Sequence, residues 1–255
     1  MSRHIEAYMD NIPLSSVGPL ILQQVYEDPP AVEITEGERP GRAGTRFVGS
    51  RRQSVKVALE VAVRELYDLS RRARAVEALA AWASGSVLEL SDHPDQRLHV
   101  ACTAVPALGQ VRDYTAVARV ELTAYDIPYW EDKRPSTLTL TAGSTGSGSL
   151  YVPGTAPSPV NVSVSVVSGT LTELDMDVGG EVITLEDLSV AAGGTVQLTH
   201  TAADDLVIRA GSAGIMSART PDSADDFIPA PGYAAVSYTA DTDVAITFSV
   251  HGRWA

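Results

Sequence analysis

The sequence predicts a mainly β protein of two unlike halves: an α+β domain with one helix over residues 1–134, and an antiparallel β-sandwich over residues 135–255. Three observations predict it. Apolar side chains recur with period two through most of the chain. The recurrence changes to three and four over a single stretch, about residues 66–84. Charge is also unevenly divided: of a formal net charge of −13, residues 1–134 hold 16 Lys/Arg against 19 Asp/Glu (−3), whereas residues 135–255 hold 3 against 13 (−10).

A short β start, "DNIPLSSVGPLILQ", opens the first half. Residues 38–52, "ERPGRAGTRFVGSRR", then crowd five arginines and three glycines into fifteen positions of an acidic chain. In "SVKVALEVAVR" (54–64), Val55, Val57, Leu59, Val61 and Val63 share one side, with Lys56, Glu60 and Arg64 on the other, the pattern of a half-buried antiparallel strand. "LYDLSRRARAVEALAAWASG" places Leu66, Leu69, Ala73, Val76, Leu79/Ala80 and Ala83 at helical spacing, with Arg71, Arg72 and Arg74 turned away and Gly85 at the C-terminal end. That basic face reads first as the solvated side of an amphipathic helix and second as a phosphate site. Strands follow at 86–90, 97–105 and 115–125; in the second of these Cys102 falls in phase with Leu98 and Val100, a packing role for the single cysteine.

Beyond residue 134 nearly every segment carries strand signals, from "STLTLTA" to "DVAITFSVHGRW", rich in Val, Thr and Ser between short turn clusters, which is sandwich composition. "AGSTGSGS" (142–149) reads as a loop inside this domain, since alternating strands flank it closely.

Motifs that would carry chemistry do not fit. "GRAGTR" lacks the Gly-Lys-Ser/Thr of a phosphate-binding loop and runs into a strand rather than a helix; it also misses the spaced glycines of a dinucleotide fingerprint. In "DMDVGGEVITLE", Asp175, Asp177, Gly180 and Glu186 occupy positions 1, 3, 6 and 12 of a calcium loop. Position 5 is Gly179, however, and the flanks alternate with period two, so Gly179-Gly180 reads as a hairpin tip. The five histidines, His4, His93, His99, His200 and His251, form no local metal motif, and no G-x-S-x-G elbow occurs. The sequence therefore predicts no catalytic residue, no cofactor and no metal site. A single cysteine allows no intrachain disulfide. The acidic second half repels polyanions, so no nucleic acid is expected as partner. No window is apolar enough for a membrane helix and "MSRHIEAYMDN" lacks signal-peptide features, so a soluble protein without membrane or secretion address is expected.

The order of these pieces resembles a known family. The β start, the "RPGRAGT" segment, the strand 54–64, a helix ending "ALAAWASG", the "L-x-L-x-D" stretch at 88–92 and a strand closing in "AYDIPYW" are similar to the N-terminal domain of the distal tail (Dit) proteins of long-tailed phages with flexible, non-contractile tails. "GTAPSPVNVSV" (154–164) and the terminal "PAPGYAAVSYTADTDVAITFSVHGRW" resemble the galectin-like sandwich that follows it in that family. The resemblance implies a structural hub that catalyses no reaction: a homohexameric ring at the distal end of the virion tail, whose partners are copies of itself, the tail tube protein and the tail tip or baseplate hub protein.

Within that implication the arginine-rich stretch acquires a role. Ordering a glycine-rich arm is costly within one monomer, and a closed ring offers a neighbouring subunit to lie against. Gly41 and Gly44 would permit the tight path, and Arg39, Arg42 and Arg46 would meet carboxylates or carbonyls of the next subunit. The rival reading from a different class is a carbohydrate-binding module on the second domain that takes host glycans. That domain has no tryptophan before Trp254, leaving Tyr151, Tyr233 and Tyr238 as its aromatic candidates. A phage and a gene-transfer agent would use the same hub.

Overall fold

In the computed structural model, which describes residues 5–28, 31–37, 46–64, 69–108, 116–201 and 203–255, the chain divides into two compact units, Met1–Trp130 and Glu131–Ala255. In the first, Asp10 and Asn11, at φ 49° and 66°, turn β1 (Ala7–Met9) back onto β2 (Ile12–Pro13), and a one-turn helix, α1 (Leu14–Val17), follows. Next come β3 (Leu20–Asp28), β4 (Val32–Gly37), β5 (Arg46–Arg52) and β6 (Val55–Val63). After these stand α2 (Leu69–Ala83), β7 (Val87–Leu90), β8 (Gln96–His99), β9 (Ala101–Leu108) and β10 (Ala116–Ala124). One sheet runs β2-β1-β7-β8 and another β3-β6-β10-β9, while among the described residues β4 and β5 pair only with each other.

The predicted face of β6 is the centre of this unit's core: Val55, Val57, Leu59, Val61 and Val63 are all buried, together with Leu88, Leu98 and Leu122. The helix lies where its period places it but presents a different face. Ala75, Leu79, Trp82 and Ala83 are buried, whereas Ala73 is exposed and Val76 and Ala80 are only half-buried. Trp82 explains the rotation, because its indole Nε1–H donates to the Ile12 carbonyl at 2.8 Å and brings the ring inward. Leu66 lies outside the described residues, and the Leu69 side chain is likewise not described.

The strand expected at 97–105 is two strands in two sheets. The Val100 N–H donates to the Ser86 carbonyl at 2.9 Å, β8 pairs with β7 and β9 crosses to β10. Leu98 and Val100 are buried, while Cys102, beyond the break, is half-buried at the margin of the core.

The second unit begins within β11 (Trp130–Asp132) and continues through β12 (Ser136–Val152), β13 (Val160–Val166), β14 (Thr170–Leu171), β15 (Leu174–Val178) and β16 (Glu181–Leu185). Then follow β17 (Val190–Ala191), β18 (Thr195–His200), β19 (Leu206–Ala210), β20 (Ala213–Gly214), β21 (Gly232–Val250) and β22 (Arg253–Trp254). These form a curled antiparallel sheet ordered β16-β15-β21-β13-β18-β19-β20, with β12 along the other edge of β21 and a small β14–β17 ladder. One core fills it, from Val162 and Leu198 to Met176 and Ile183, with Phe227 and Phe248 fully buried.

Residues 142–149 are strand, not loop: β12 runs unbroken for 17 residues and pairs with β21 along its length. Register shifts between Leu140, Gly143 and Thr145 let it bend. Gly146 is required by the packing, since a Cβ there would fall 2.4 Å from Cε1 of the Tyr238 ring. The Gly179-Gly180 tip is a two-residue hairpin turn between β15 and β16, with both glycines at positive φ (65° and 94°) and Asp177 Oδ1 accepting the Gly180 N–H at 2.8 Å.

Candidate assembly surface

The β4–β5 ribbon carries the arginine-rich stretch. Its register pairs Val32 with Arg52, Ile34 with Ser50 and Glu36 with Phe47, with a bulge at Val48. Directly opposed residues of an antiparallel pair point to one side, so Val32, Ile34 and Phe47 share a face. All are open to solvent, at 59%, 58% and 63% exposure, and Val48 at 61% adds to the apolar surface. A two-stranded ribbon is marginal in water on its own, and clustered exposed apolar side chains of this kind mark a candidate interaction surface.

Of the five residues assigned to the arm, Arg39, Gly41, Arg42 and Gly44 lie outside the described residues. Arg46 opens β5 opposite Gly37, and its side chain is not described. At the base of the ribbon the Gln53 N–H donates to the Ala31 carbonyl at 2.8 Å. Arg52 lies there with its guanidinium carbon 4.8 Å from the Tyr129 ring centroid, a cation–π contact that leaves its buried Nε without a hydrogen-bond partner.

The three tyrosines considered for sugar binding separate. Tyr151 and Tyr233 are cross-strand partners on β12 and β21, their ring centroids 5.2 Å apart and tilted by 52°, at 49% and 79% exposure. Tyr238 is buried, its hydroxyl 3.2–3.3 Å from the carbonyls of Thr141, Gly143 and Val244. Burial first, and then the charge of Asp243, push its pKa above the usual phenol value. It braces the bend in β12 and presents no face to a ligand.

Two polar clusters in the second unit were not legible in the sequence. Arg253 is buried between Glu131, with Nε 3.3 Å from Oε1, and Asp204, which takes both terminal nitrogens at 2.8 and 2.7 Å. Burial opposes its charge, but the hydrogen bonds and charges of Asp204 and Glu131 outweigh it and hold the guanidinium pKa above its ordinary value. His200 lies with Nδ1 2.9 Å from Asn161 Oδ1 and Nε2 2.8 Å from Asp226 Oδ1, tying β13 and β18 to the segment before β21. Among the described residues no group of three or more His, Cys, Asp or Glu is arranged to hold a metal ion, and no helix is long and apolar enough to cross a membrane.

No family model and no curated protein matches the chain. Solved structures do. The Dit protein (gp 19.1) of SPP1, described as a paradigm of the hub adsorption apparatus in phages infecting Gram-positive hosts, superposes with a TM-score of 0.73 at 16% identity, over 98% of this chain and 99% of that one. This chain has a Dit-like fold. A chain of the phage P2 baseplate in its activated conformation aligns over 99% of this chain and 98% of its own at 8% identity, with a TM-score of 0.49, too distant to add to the argument. The Dit-like fold thus spans both units, and within it the β4–β5 ribbon carries four exposed large apolar side chains, Val32, Ile34, Phe47 and Val48.

Proposed function

We propose that this protein is a structural component of a phage or phage-like tail, a distal tail hub that catalyses no reaction. In this reading six copies close into a ring that joins the tail tube to the tip or baseplate, and the Glu131–Ala255 unit serves as a peripheral galectin-like domain. The carrying observation is the β4–β5 ribbon on a Dit-like fold: Val32, Ile34 and Phe47 stand exposed on one face of strands that, among the described residues, pair only with each other. Closed symmetry supplies what the monomer lacks, since each copy offers one ribbon and one receiving surface. The adjoining Arg39, Arg42 and Arg46 then reach carboxylates or carbonyls of the next subunit, with Gly41 and Gly44 shaping the path. A gene-transfer agent would use the same ring.

Negative-stain images and light scattering of the purified full chain test this. Six-fold rings are expected, reduced to monomers by I34S/F47S and weakened by R42E/R46E. A wild-type monomer, or rings indifferent to both changes, would overturn the proposal.

A second reading, recognition of a host glycan, is favoured by the Tyr151–Tyr233 pair, because exposed tilted rings form a platform for the apolar face of a sugar. A glycan array probed with the full chain tests it. Signal lost in Y151A/Y233A supports the reading, and an empty array removes it.

A further inference from the structure

A second charged feature lies apart from the ribbon and from the tyrosine pair. Arg64, just beyond β6, and Arg71 and Arg74, three residues apart on α2, line one cleft of about 370 Å³ in the Met1–Trp130 unit. Its remaining described wall is apolar, formed by Val17 at the end of α1, Gly18 and Pro19 just beyond it, and Ala75 and Ala78 of α2. The backbone fixes this geometry, since the Arg64 N–H donates to the Pro19 carbonyl at 3.0 Å. All three arginine side chains are exposed, and none forms an ion pair with a described carboxylate.

Three exposed arginines lining one cleft, with no ion pair to any described carboxylate, give it a local positive charge in a chain of net charge −13 and favour an anionic occupant. Guanidinium forks bind planar carboxylates in bidentate fashion. Among the described residues that line the cleft there is no aromatic ring on which a nucleobase could stack. Its volume is at the low end of the roughly 300–1,000 Å³ typical of ligand pockets, which suits a few residues of extended chain. We infer that Arg64, Arg71 and Arg74 form a docking cleft for an acidic peptide segment of a neighbouring protein, its carboxylates on the arginines and a small apolar side chain on Val17, Pro19 and Ala78. This inference goes beyond the ring and does not depend on it.

The test is fluorescence anisotropy with the full chain and a labelled peptide of alternating glutamate and leucine. Two controls are its lysine counterpart and a single-stranded oligonucleotide. The glutamate peptide is expected to bind and the lysine peptide not. Affinity should fall about tenfold or more in R71Q/R74Q, as charge-assisted hydrogen bonds are removed, and weaken with salt between about 50 and 500 mM. Circular dichroism checks that the variant is folded, and single R74Q, at an exposed position, serves where the double variant is not. Failure of the wild type to bind, or equal binding by the variants, would overturn the proposal, and tighter binding of the oligonucleotide would overturn its choice of occupant. Glu65 and Asp68, outside the described residues, are neighbours in sequence. Peptide binding that appears only in E65Q/D68N would show that the chain's own carboxylates occupy the cleft, and would likewise overturn it. Ring formation is read separately by light scattering and is expected to be unchanged in R71Q/R74Q.

Discussion

Asp204 holds Arg253 through both carboxylate oxygens, 2.8 and 2.7 Å from the two terminal guanidinium nitrogens, across 49 residues of sequence. Glu131 meets the same guanidinium from 122 residues away, at Nε. Arg253 and Glu131 are both buried, so the cluster stands on full pairing. Replacing Arg253 with Met removes the guanidinium that Glu131 and Asp204 share and is expected to cost about 3–5 kcal/mol. Urea unfolding at neutral pH measures this. A loss below about 1 kcal/mol would mean that water reaches Glu131.

Asp241 supplies a pH signature. Its carboxylate accepts hydrogen bonds from the Thr172 hydroxyl and from the Thr172 N–H at 3.0 Å, and the hydroxyl bond leads the causes that hold its pKa below the usual 3.8, against a smaller opposing effect of burial. A depressed folded pKa contributes stability above the unfolded value, and that stability is lost as pH falls through the folded one. Wild type should therefore exceed D241N at neutral pH, by less than about 1 kcal/mol because the site is exposed. The gap should close as pH falls below 3.8. Paired chemical denaturations at neutral and acid pH decide it, and a gap that widens in acid contradicts it.

Gly146 distinguishes a strand from a linker. A flexible linker accepts valine, but here the new Cβ meets the Tyr238 ring at 2.4 Å. Gly146→Val is expected to cost about 1–3 kcal/mol by overpacking and to lower the thermal midpoint, whereas Gly180→Val, at φ 94° with nothing within 4 Å of its Cβ, carries backbone strain without collision and so separates the two effects.

Trp82 anchors α2 through one hydrogen bond to the Ile12 carbonyl. Trp82→Phe keeps most of the ring and removes the donor. A loss of about 0.5–1.5 kcal/mol is expected in denaturant unfolding, and no change would mean that water replaces the indole N–H.

What was legible in the sequence was whatever local periodicity determines. Alternation over residues 54–64 identified the core face of β6 because successive side chains point to opposite faces and one face packs on the core, although Ala58 and Ala62 of the other face are covered as well. Gly179-Gly180 identified its hairpin because period-two flanks and a two-residue turn agree. Tertiary partners decided the rest. The exposed Ala73 and buried Trp82 depend on a carbonyl 70 residues away. The glycines of residues 142–149 have the composition of a linker, and only the Tyr238 ring shows why they must be small. Arg253, Asp204 and Glu131 share no local pattern at all. At the candidate surface, the arginines and glycines of residues 38–52 stand out in the sequence, while Val32, Ile34 and Phe47 come together only through the register of the β4–β5 ribbon.

The 19-residue β21 borders β15 with its Val236–Ala240 end and β13 with its Val244–Val250 end, while β12 follows it along the opposite edge. Neither end can peel away without unzipping a rail common to both, so the Glu131–Ala255 unit has no weak half to lose first. A single protease cut near residues 241–243, at the bend, would leave each piece of β21 clamped between β12 and its own second neighbour, so a nick there should not by itself free either end.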